Sequence, residues 1–551
     1  MLMYCRQVLV TLILLLTCAS VYADNEAAGQ PAQTPPAADS LHQITQSLIK
    51  ANYREKAEIA EQMAAVGSDR SLIILKTFLD GNLYYRKDDN TILIVVDEDN
   101  IRDAFTDQPV EGLGRRDKRK IGVNNSLRGT LRSLISQAQI NSKNVQLRLE
   151  AATNLLKNSE DVDVAFVEAA LSKEDNKEIK RILSLVKGLI LLQSDSAEAR
   201  MAALTSFEGS LYPEIRAALI QFMRGFSEQE KASRAGEYKL AQATLDDIES
   251  MLRLNGYAEN LYFGLALGAV LLLAAIGLAI TFGVMGVINM AHGEMIMLGA
   301  YTTYVVQQLM PDHIGLSLVV SVPAAFLVSG AVGVAIERGV IRHLYGRPLE
   351  TLLATFGISL ILQQAVRSIF SPLNRQVASP DWMSGTFMLN PALELTWNRL
   401  YIIIFSLLVL AVLALVLKRT LFGLQMRAVT MNRPMASSMG IRTGWVDALT
   451  FGLGSGIAGI AGVALSQLTN VGPNLGQAYI IDSFMVVVFG GVGNLWGTLV
   501  AAMSLGVANK IIEPMAGAVL AKILVLVFII LFIQKRPRGL FALKGRAADN
   551  S

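Results

Sequence analysis

Asn289-Met290-Ala291-His292-Gly293-Glu294 interrupts two apolar runs, 261–288 and 295–306, that carry no charge of their own. An ionisable pair set in such surroundings marks a transport path more often than a structural accident. The runs on either side make the second half of the chain membrane-embedded. The expected fold is all-α: a polytopic helical bundle of about nine crossings or membrane pieces, some of them broken or re-entrant.

Working outward, the composition divides the chain. Over its 551 residues it is 52% hydrophobic and 17% charged, too long for one domain and too apolar for a wholly soluble protein. Residues 24–260 hold 36 acidic side chains against 30 basic, whereas 261–551 hold 18 basic against 10 acidic. The net charge of +3 is therefore a cancellation. The excess bases lie in short loops beside spans, where cytoplasmic loops carry them, and give no reason to expect nucleic acid as a partner.

The first 23 residues read as an export signal: Arg6 in a basic n-region, an apolar stretch from Val8 to Thr17, and Val21-Tyr22-Ala23 as a small-x-small cleavage site. Cys5 and Cys18 are the only cysteines, so the exported part is expected to lack disulfides. A Pro/Ala/Gln linker over 24–40 leads to a domain over 41–255 with a mostly helical pattern. Small-residue-rich amphipathic segments at 148–156 and 199–207 suggest a few stacked helix pairs resembling HEAT repeats. Leu83–Arg86 and Thr91–Val96, separated by Lys87-Asp88-Asp89-Asn90, predict a β-hairpin within it. That domain shows no catalytic constellation; a docking or spacer role suits it.

In the membrane half, 256–541, the candidate spans are 261–284, 295–309, 316–336, 349–369, 400–417, 446–468, 479–489, 495–512 and 519–533. A crossing takes about 20 apolar residues. The second and seventh segments are short, and read as pieces packed against protein. With 41–255 outside, an odd number of crossings puts the bases of 337–343, 418–442 and 534–538 in the cytoplasm, along with the tail at 542–551. Nine passes satisfy this if Gly490-Gly491-Val492-Gly493-Asn494 is a break between two of them.

In the loop after the fifth span, Pro434 suits the first turn of a short helix, with Asn432 or Arg433 near its cap and Gly440 as its stop. Such a knob suits either a cleft on a soluble motor or simple topogenic charge. Gly452/Gly456, Ser455/Gly459 and Ala458/Gly462 form small-xxx-small pairs, which let helix backbones approach closely. Metal ligation and enzymatic chemistry are disfavoured, because His292 and Glu294 lack a nucleophile or a second ligand at helical spacing.

Gly286–Tyr301, Arg427–Ile441, Val488–Leu495 and Arg536–Phe541 together resemble the permease of branched-chain amino acid-type ABC importers, and the resemblance runs from about Leu261 to Phe541. With a signal and a helical exported domain ahead of it, the chain is most similar within that family to a urea-type permease. The resemblance implies a bacterial inner-membrane protein paired with a second related permease, two cytoplasmic ATPases and a periplasmic solute-binding protein. It also implies an ATPase-coupling loop on Arg427, Ala428, Arg433, Pro434, Met435, Ala436, Gly440 and Ile441. Pro434 departs from a helix-favouring residue expected there, so the docking helix should start late.

No phosphate-loop motif is present, so ATP, the only cofactor expected, is bound by partner subunits. Glu294 is expected to be nearly alone as a buried acid, which disfavours ion-coupled transport. For a small neutral solute such as urea the polar path candidates are Asn289, His292, Glu294 and Asn494, with Thr281 and Gln467 weaker. The competing expectation for His292 and Glu294 is a hydrogen-bonded pair that locks the helix break. The alternative functions are a permease for branched-chain amino acids or other short amides, with a charge pair expected on the path of a zwitterion, and a membrane receptor or structural anchor for a periplasmic complex.

Overall fold

Polar side chains stand just ahead of most helices in the first part of the chain. The computed structural model describes residues 37–541 apart from 98–99, 111–112, 115 and 160–161, and the chain divides into two compact units at Phe207/Glu208. The expected signal segment, both cysteines, most of the linker and the 542–551 tail lie outside the described residues.

In the first unit, helices α1 (Ala37–Ser47), α2 (Tyr53–Val66) and α3 (Asp69–Leu79) precede strands β1 (Leu83–Arg86), β2 (Ile92–Val95), β3 (Ile101–Asp103) and β4 (Lys118–Lys120). The hairpin read from the sequence is present, antiparallel with Leu83 opposite Ile94. It is the centre of a four-stranded sheet ordered β3-β2-β1-β4, whose outer strands are three residues each and too short to show a period. Phe78, Leu83, Ile92 and Leu131 are fully buried where the sheet meets the helices.

Then come α4 (Asn125–Gln139), α5 (Val145–Lys157), α6 (Val164–Lys173), α7 (Lys177–Leu192) and α8 (Ala197–Ser206). Asn124, Asn144, Asp163, Asn176 and Ser196 cap these five through side-chain oxygens that accept from free backbone N–H groups. Helices α5, α6 and α8 all pack on α7, which buries Ile179, Ile182, Leu183, Leu185 and Val186. Between α5 and the start of α7, Glu174 accepts from Arg148 Nε at 2.7 Å and Nη2 at 3.2 Å, and from the backbone of Asp175 and Asn176.

The second unit opens with α9 (Pro213–Arg224) and α10 (Glu228–Ser233), then α11 (Ala235–Met285). At 1.5 Å per residue α11 is about 76 Å long, far more than a bilayer core. Its apolar part starts near Leu261, so both the change of composition there and the domain boundary expected at 255/256 fall inside one unbroken helix. There follow α12 (His292–Leu309), α13 (Ile314–Gly339), α14 (Pro348–Phe370), a hairpin of β5 (Thr386–Asn390) and β6 (Leu393–Thr396), and α15 (Trp397–Arg419). The loop helices are α16 (Leu421–Met431) and α17 (Arg433–Ser438); α18 (Thr443–Ser466), α19 (Leu475–Gly490), α20 (Leu495–Ala516) and α21 (Ala518–Lys535) complete the bundle. Among the described residues, seven helices are long and apolar enough to cross a membrane. The two remaining apolar helices, α12 and α19, are the segments that sequence length marked as short pieces.

Helix α18 sits at the centre, against α11, α12 and α13. Its glycines set the spacing: a methyl group built on Gly299 of α12 would lie 2.0 Å from the Gly459 carbonyl oxygen, and one on Gly462 would lie 2.0 Å from that of Ile296. Gly452 and Gly456 face Val334 and Phe326 of α13 in the same way. Apolar helices gain no hydrophobic drive from one another in lipid, so backbone proximity and dispersion hold such a core.

Candidate functional site

Gly286 ends α11 in the left-handed conformation, φ 67°, and the chain folds back. His292, the first residue of α12, therefore reaches Ala274 of α11 through a 2.9 Å hydrogen bond from Nε2 to the carbonyl oxygen. Ala274 lies three turns before the end of α11, so α12 begins alongside the body of that helix and not beyond it. A carbonyl oxygen only accepts, so Nε2 carries the proton and neutral Nδ1 is an acceptor with no partner.

Two residues on, Glu294 points the other way. Its Oε1 accepts from Ser359 Oγ at 2.9 Å and Gln363 Nε2 at 2.8 Å, both on α14. Its Oε2 is buried without a partner, and the residue is 1% exposed. His292 and Glu294 are thus not a mutual pair: the one ties the break to α11 and the other faces α14, because neighbouring positions on a helical turn diverge in direction. Asn289 shapes the turn, its Oδ1 accepting from Ala291 N at 3.0 Å, while its amide nitrogen has no partner. Met290 N donates to Thr355 Oγ1 of α14 at 3.2 Å.

These contacts reveal a feature that the sequence reading passed over. Thr351, Thr355, Ser359 and Gln363 recur every four residues along α14, all buried, while Leu349, Leu353, Leu360, Ile361 and Ile369 on its other faces are exposed. They share one face of the helix: Ser359 and Gln363 meet Glu294 and Thr355 meets Met290 N, while Thr351 donates to the carbonyls of Leu344 and Arg347. One turn beyond Gln363, Arg367 bonds Asn474 at 2.8 Å. The i, i+4 spacing of hydroxyl and amide groups inside an apolar span was the signal available in the sequence.

Other candidates lie elsewhere. Asn494 caps α20, accepting from Trp496 N and Gly497 N at 3.1 and 3.2 Å. It stands at the far end of α19 from Gly476, the glycine that meets Gly293. The break at 490–494 instead receives the terminal segment: Leu540 N and Phe541 N donate to the carbonyls of Phe489 and Gly490. Two of the quoted motifs are therefore one structural joint. Thr281 is satisfied by the carbonyls of Gly277 and Leu278, and Gln467 Oε1 is buried without a partner.

In the loop, Asn432 caps α17 by accepting from Met435 N at 3.0 Å, Pro434 lies in its first turn, and Gly440 follows it at φ 86°. The helix thus starts at Arg433 with Pro434 inside it, and not after the proline, because the missing proline N–H is one that a first turn leaves free. Ile441 N reaches back to Ala436 O, so the stop is of the Schellman type. Ala436 is buried; Arg427 donates to the carbonyl of Leu417, and Ala428 packs inward against the core. Met431 at the end of α16, and Met435 and Met439 in and just after α17, are exposed by 80%, 61% and 75%.

Glu294 has more buried acidic company than its sequence setting suggests. Asp447 is fully buried, Glu337 is 1% exposed and Asp482 7%. Asp482 is met by Lys522 at 3.2 Å, and Asp447 by Arg433. Their burial is not legible in the sequence because each stands near a span end, where charge normally reaches water. Tyr345, in the turn after α13, lies under the Arg433 guanidinium; burial first, and then the Asp447 charge, raise its phenol above the ordinary value and keep it protonated. Among the described residues no cluster of side chains is suited to a metal ion.

Residues 260–533 match the family described as branched-chain amino acid transport system / permease component. The high-affinity branched-chain amino acid transport permease BraD of Pseudomonas aeruginosa is 30% identical over 294 residues, 52% of this chain and 95% of that protein. LivH of Escherichia coli is 29% identical over the same shares, and a probable branched-chain amino acid permease LivH of Methanocaldococcus jannaschii is 27% identical over 246 residues, 44% of this chain and 76% of that one. No solved structure matches.

Proposed function

This chain belongs to the branched-chain amino acid transport permease family, and from that premise we propose that it forms one half of the solute path of an ATP-driven importer, with branched-chain amino acids as its leading substrates. The family is one of multi-pass membrane permeases and not of enzymes. The observation that carries the reading is the polar seam: a buried carboxylate with one free oxygen, held by two of the four buried polar side chains that recur along one face of α14. Groups of this kind in an apolar bundle carry a desolvation penalty unless something polar meets them in another state.

A zwitterion wants both charges answered. Glu294 and, one turn beyond Gln363, Arg367 offer a carboxylate and a guanidinium on the same side of α14, the charge pair expected for an amino acid. Urea remains the second reading, favoured by one observation: more than 200 residues with a folded unit of their own precede the family match at residue 260. That region is an exported domain with HEAT-like stacking in this reading, which places it in the periplasm and the C-terminus in the cytoplasm of a bacterial inner membrane.

The remaining parts follow from the need for a motor. A second related permease completes the path, a periplasmic binding protein delivers solute, and two ATPases dock on the 420–442 loop. The exposed methionines Met431, Met435 and Met439 supply the docking contact, since thioether side chains adapt to a partner's groove. Uptake of labelled leucine and of labelled urea, compared in cells with and without this chain, tests the assignment. Loss of leucine uptake alone supports the leading reading, loss of urea uptake alone moves the assignment to urea, and loss of neither defeats both.

A further inference from the structure

Three elements of the second unit meet at an ion pair with a buried carboxylate that the polar seam does not use. Arg433 opens α17, and its guanidinium bonds Asp447 in the first turns of α18. The same guanidinium lies over the Tyr345 ring at 4.2 Å, within the turn that joins α13 to α14. The Asp447 side chain is fully buried, while that of Arg433 is 39% exposed. Next to them Arg338, in the last turn of α13, rests on the Trp445 ring of α18 at 4.0 Å.

A loop that only directs topology needs its bases in water. Here a base is committed to a carboxylate that has no contact with solvent. Removing the base would leave the buried Asp447 carboxylate uncompensated, which is strongly unfavourable. Helix α17 therefore does not shift without carrying the start of α18 with it. Further along, α18 touches α12 at glycine distance, one turn from the residues that open the polar seam.

We propose that Arg433, Asp447 and Tyr345 form a coupling clamp, a rigid link that passes displacement of α17 by a docked ATPase into α18 and so to the α12–α14 seam. The inference rests on the ATP-driven reading above. Asp447 and Tyr345 act as positioning residues through Arg433; neither has to touch solute or ATPase.

The test compares the wild-type complex, assembled with its ATPases in proteoliposomes, with Asp447→Asn, Tyr345→Leu and the double variant. Bound ATPase, basal ATP hydrolysis, and uptake per ATP hydrolysed are measured, using labelled leucine or urea, whichever the wild type takes up. The expected result is retained ATPase binding and hydrolysis, with uptake per ATP reduced on the order of tenfold in each single variant. The double variant should be no worse than the worse single, since both act through one guanidinium. Unchanged uptake per ATP in the single variants overturns the clamp, as does a loss that tracks lost ATPase binding. If Asp447→Asn does not accumulate, Tyr345→Leu decides, because it leaves the ion pair in place. A wild-type complex with no ATP-dependent uptake of either solute sinks the transport reading instead, before any variant is compared.

Discussion

Glu294 has one carboxylate oxygen held by two donors and one held by none, and this asymmetry decides what a substitution should do. In Glu294→Gln, the amide oxygen still accepts from Ser359 and Gln363, while an NH2 group replaces the free Oε2. A purely structural role is largely preserved by that exchange, and a role in meeting a cationic or amide donor is not. Uptake is expected to fall by about 10- to 100-fold, the effect of losing one good polar contact to a charged group, with protein abundance kept. Normal uptake at normal abundance would remove Glu294 from the path. In the first unit, Glu174 makes an independent prediction. The Arg148 hydrogen bond holds its carboxyl below the ordinary value, so the pair stabilises the fold fully above the unfolded pKa of about 4.3 and loses that contribution as pH falls through the lower folded value. Hydrogen exchange at the start of α7 in the full chain should be faster in Glu174→Gln than in wild type at neutral pH. The difference should disappear in acid, and one that persists there would assign the effect to packing.

Helix packing gives the next prediction, because two glycines in neighbouring helices face opposite environments. Gly299 of α12 meets the backbone of α18, whereas a methyl on Gly357 of α14 would meet nothing within 4 Å. Gly299→Ala should destabilise the bundle by about 1–3 kcal/mol through overpacking. Gly357→Ala should be neutral or stabilising by up to about 1 kcal/mol, since alanine favours helix. Thermal unfolding of the two variants in detergent checks the contrast, and equal midpoints would refute the packing order. The glycine stripe of α18, the α17 cap and stop, and the hairpin were legible in the sequence because each rests on local spacing or on the conformational preference of one residue type. The pairing of Glu294 with α14, the docking of Leu540 and Phe541 on the 489–490 carbonyls, and the Arg433–Asp447 contact were not. Each joins segments through the fold, and only the last is close in sequence. Asn494 is ambiguous in the sequence for a related reason: an asparagine at a glycine break serves as a helix cap as readily as a solute ligand.

At the scale of the whole bundle the two ends differ in chemistry, and that difference fixes a testable orientation. One end carries an aromatic group: Trp397 stacks near Phe387 and Tyr401, Trp382 meets Tyr401 at 5.1 Å, and Tyr262 donates to Thr396 O at 2.6 Å. At the other end Arg338 rests on Trp445 and Arg433 on Tyr345, and the chain places Arg342 in the turn after α13, Lys418 and Arg419 in the last turn of α15 and Arg427 in α16. From Trp397 to Arg419, α15 rises about 33 Å, matching the hydrocarbon thickness of roughly 30 Å between two interfaces. Aromatic side chains anchor both interfaces, but excess bases mark the cytoplasmic one. If α12 and α19 each complete a pass, the β5–β6 hairpin and the α20–α21 turn face outward, and the 420–442 loop faces inward. The only native cysteines are at 5 and 18, so with both replaced, single cysteines report position cleanly. Met388→Cys and Ala518→Cys should react with a membrane-impermeant maleimide added to spheroplasts, and Ser438→Cys only after the membrane is opened. Labelling at 388 with protection at 518 would mean that α19 and α20 share a single crossing where two are expected. In that case the 490–494 break would lie within the membrane, and α19 would be a half-helix that never reaches the cytoplasmic face.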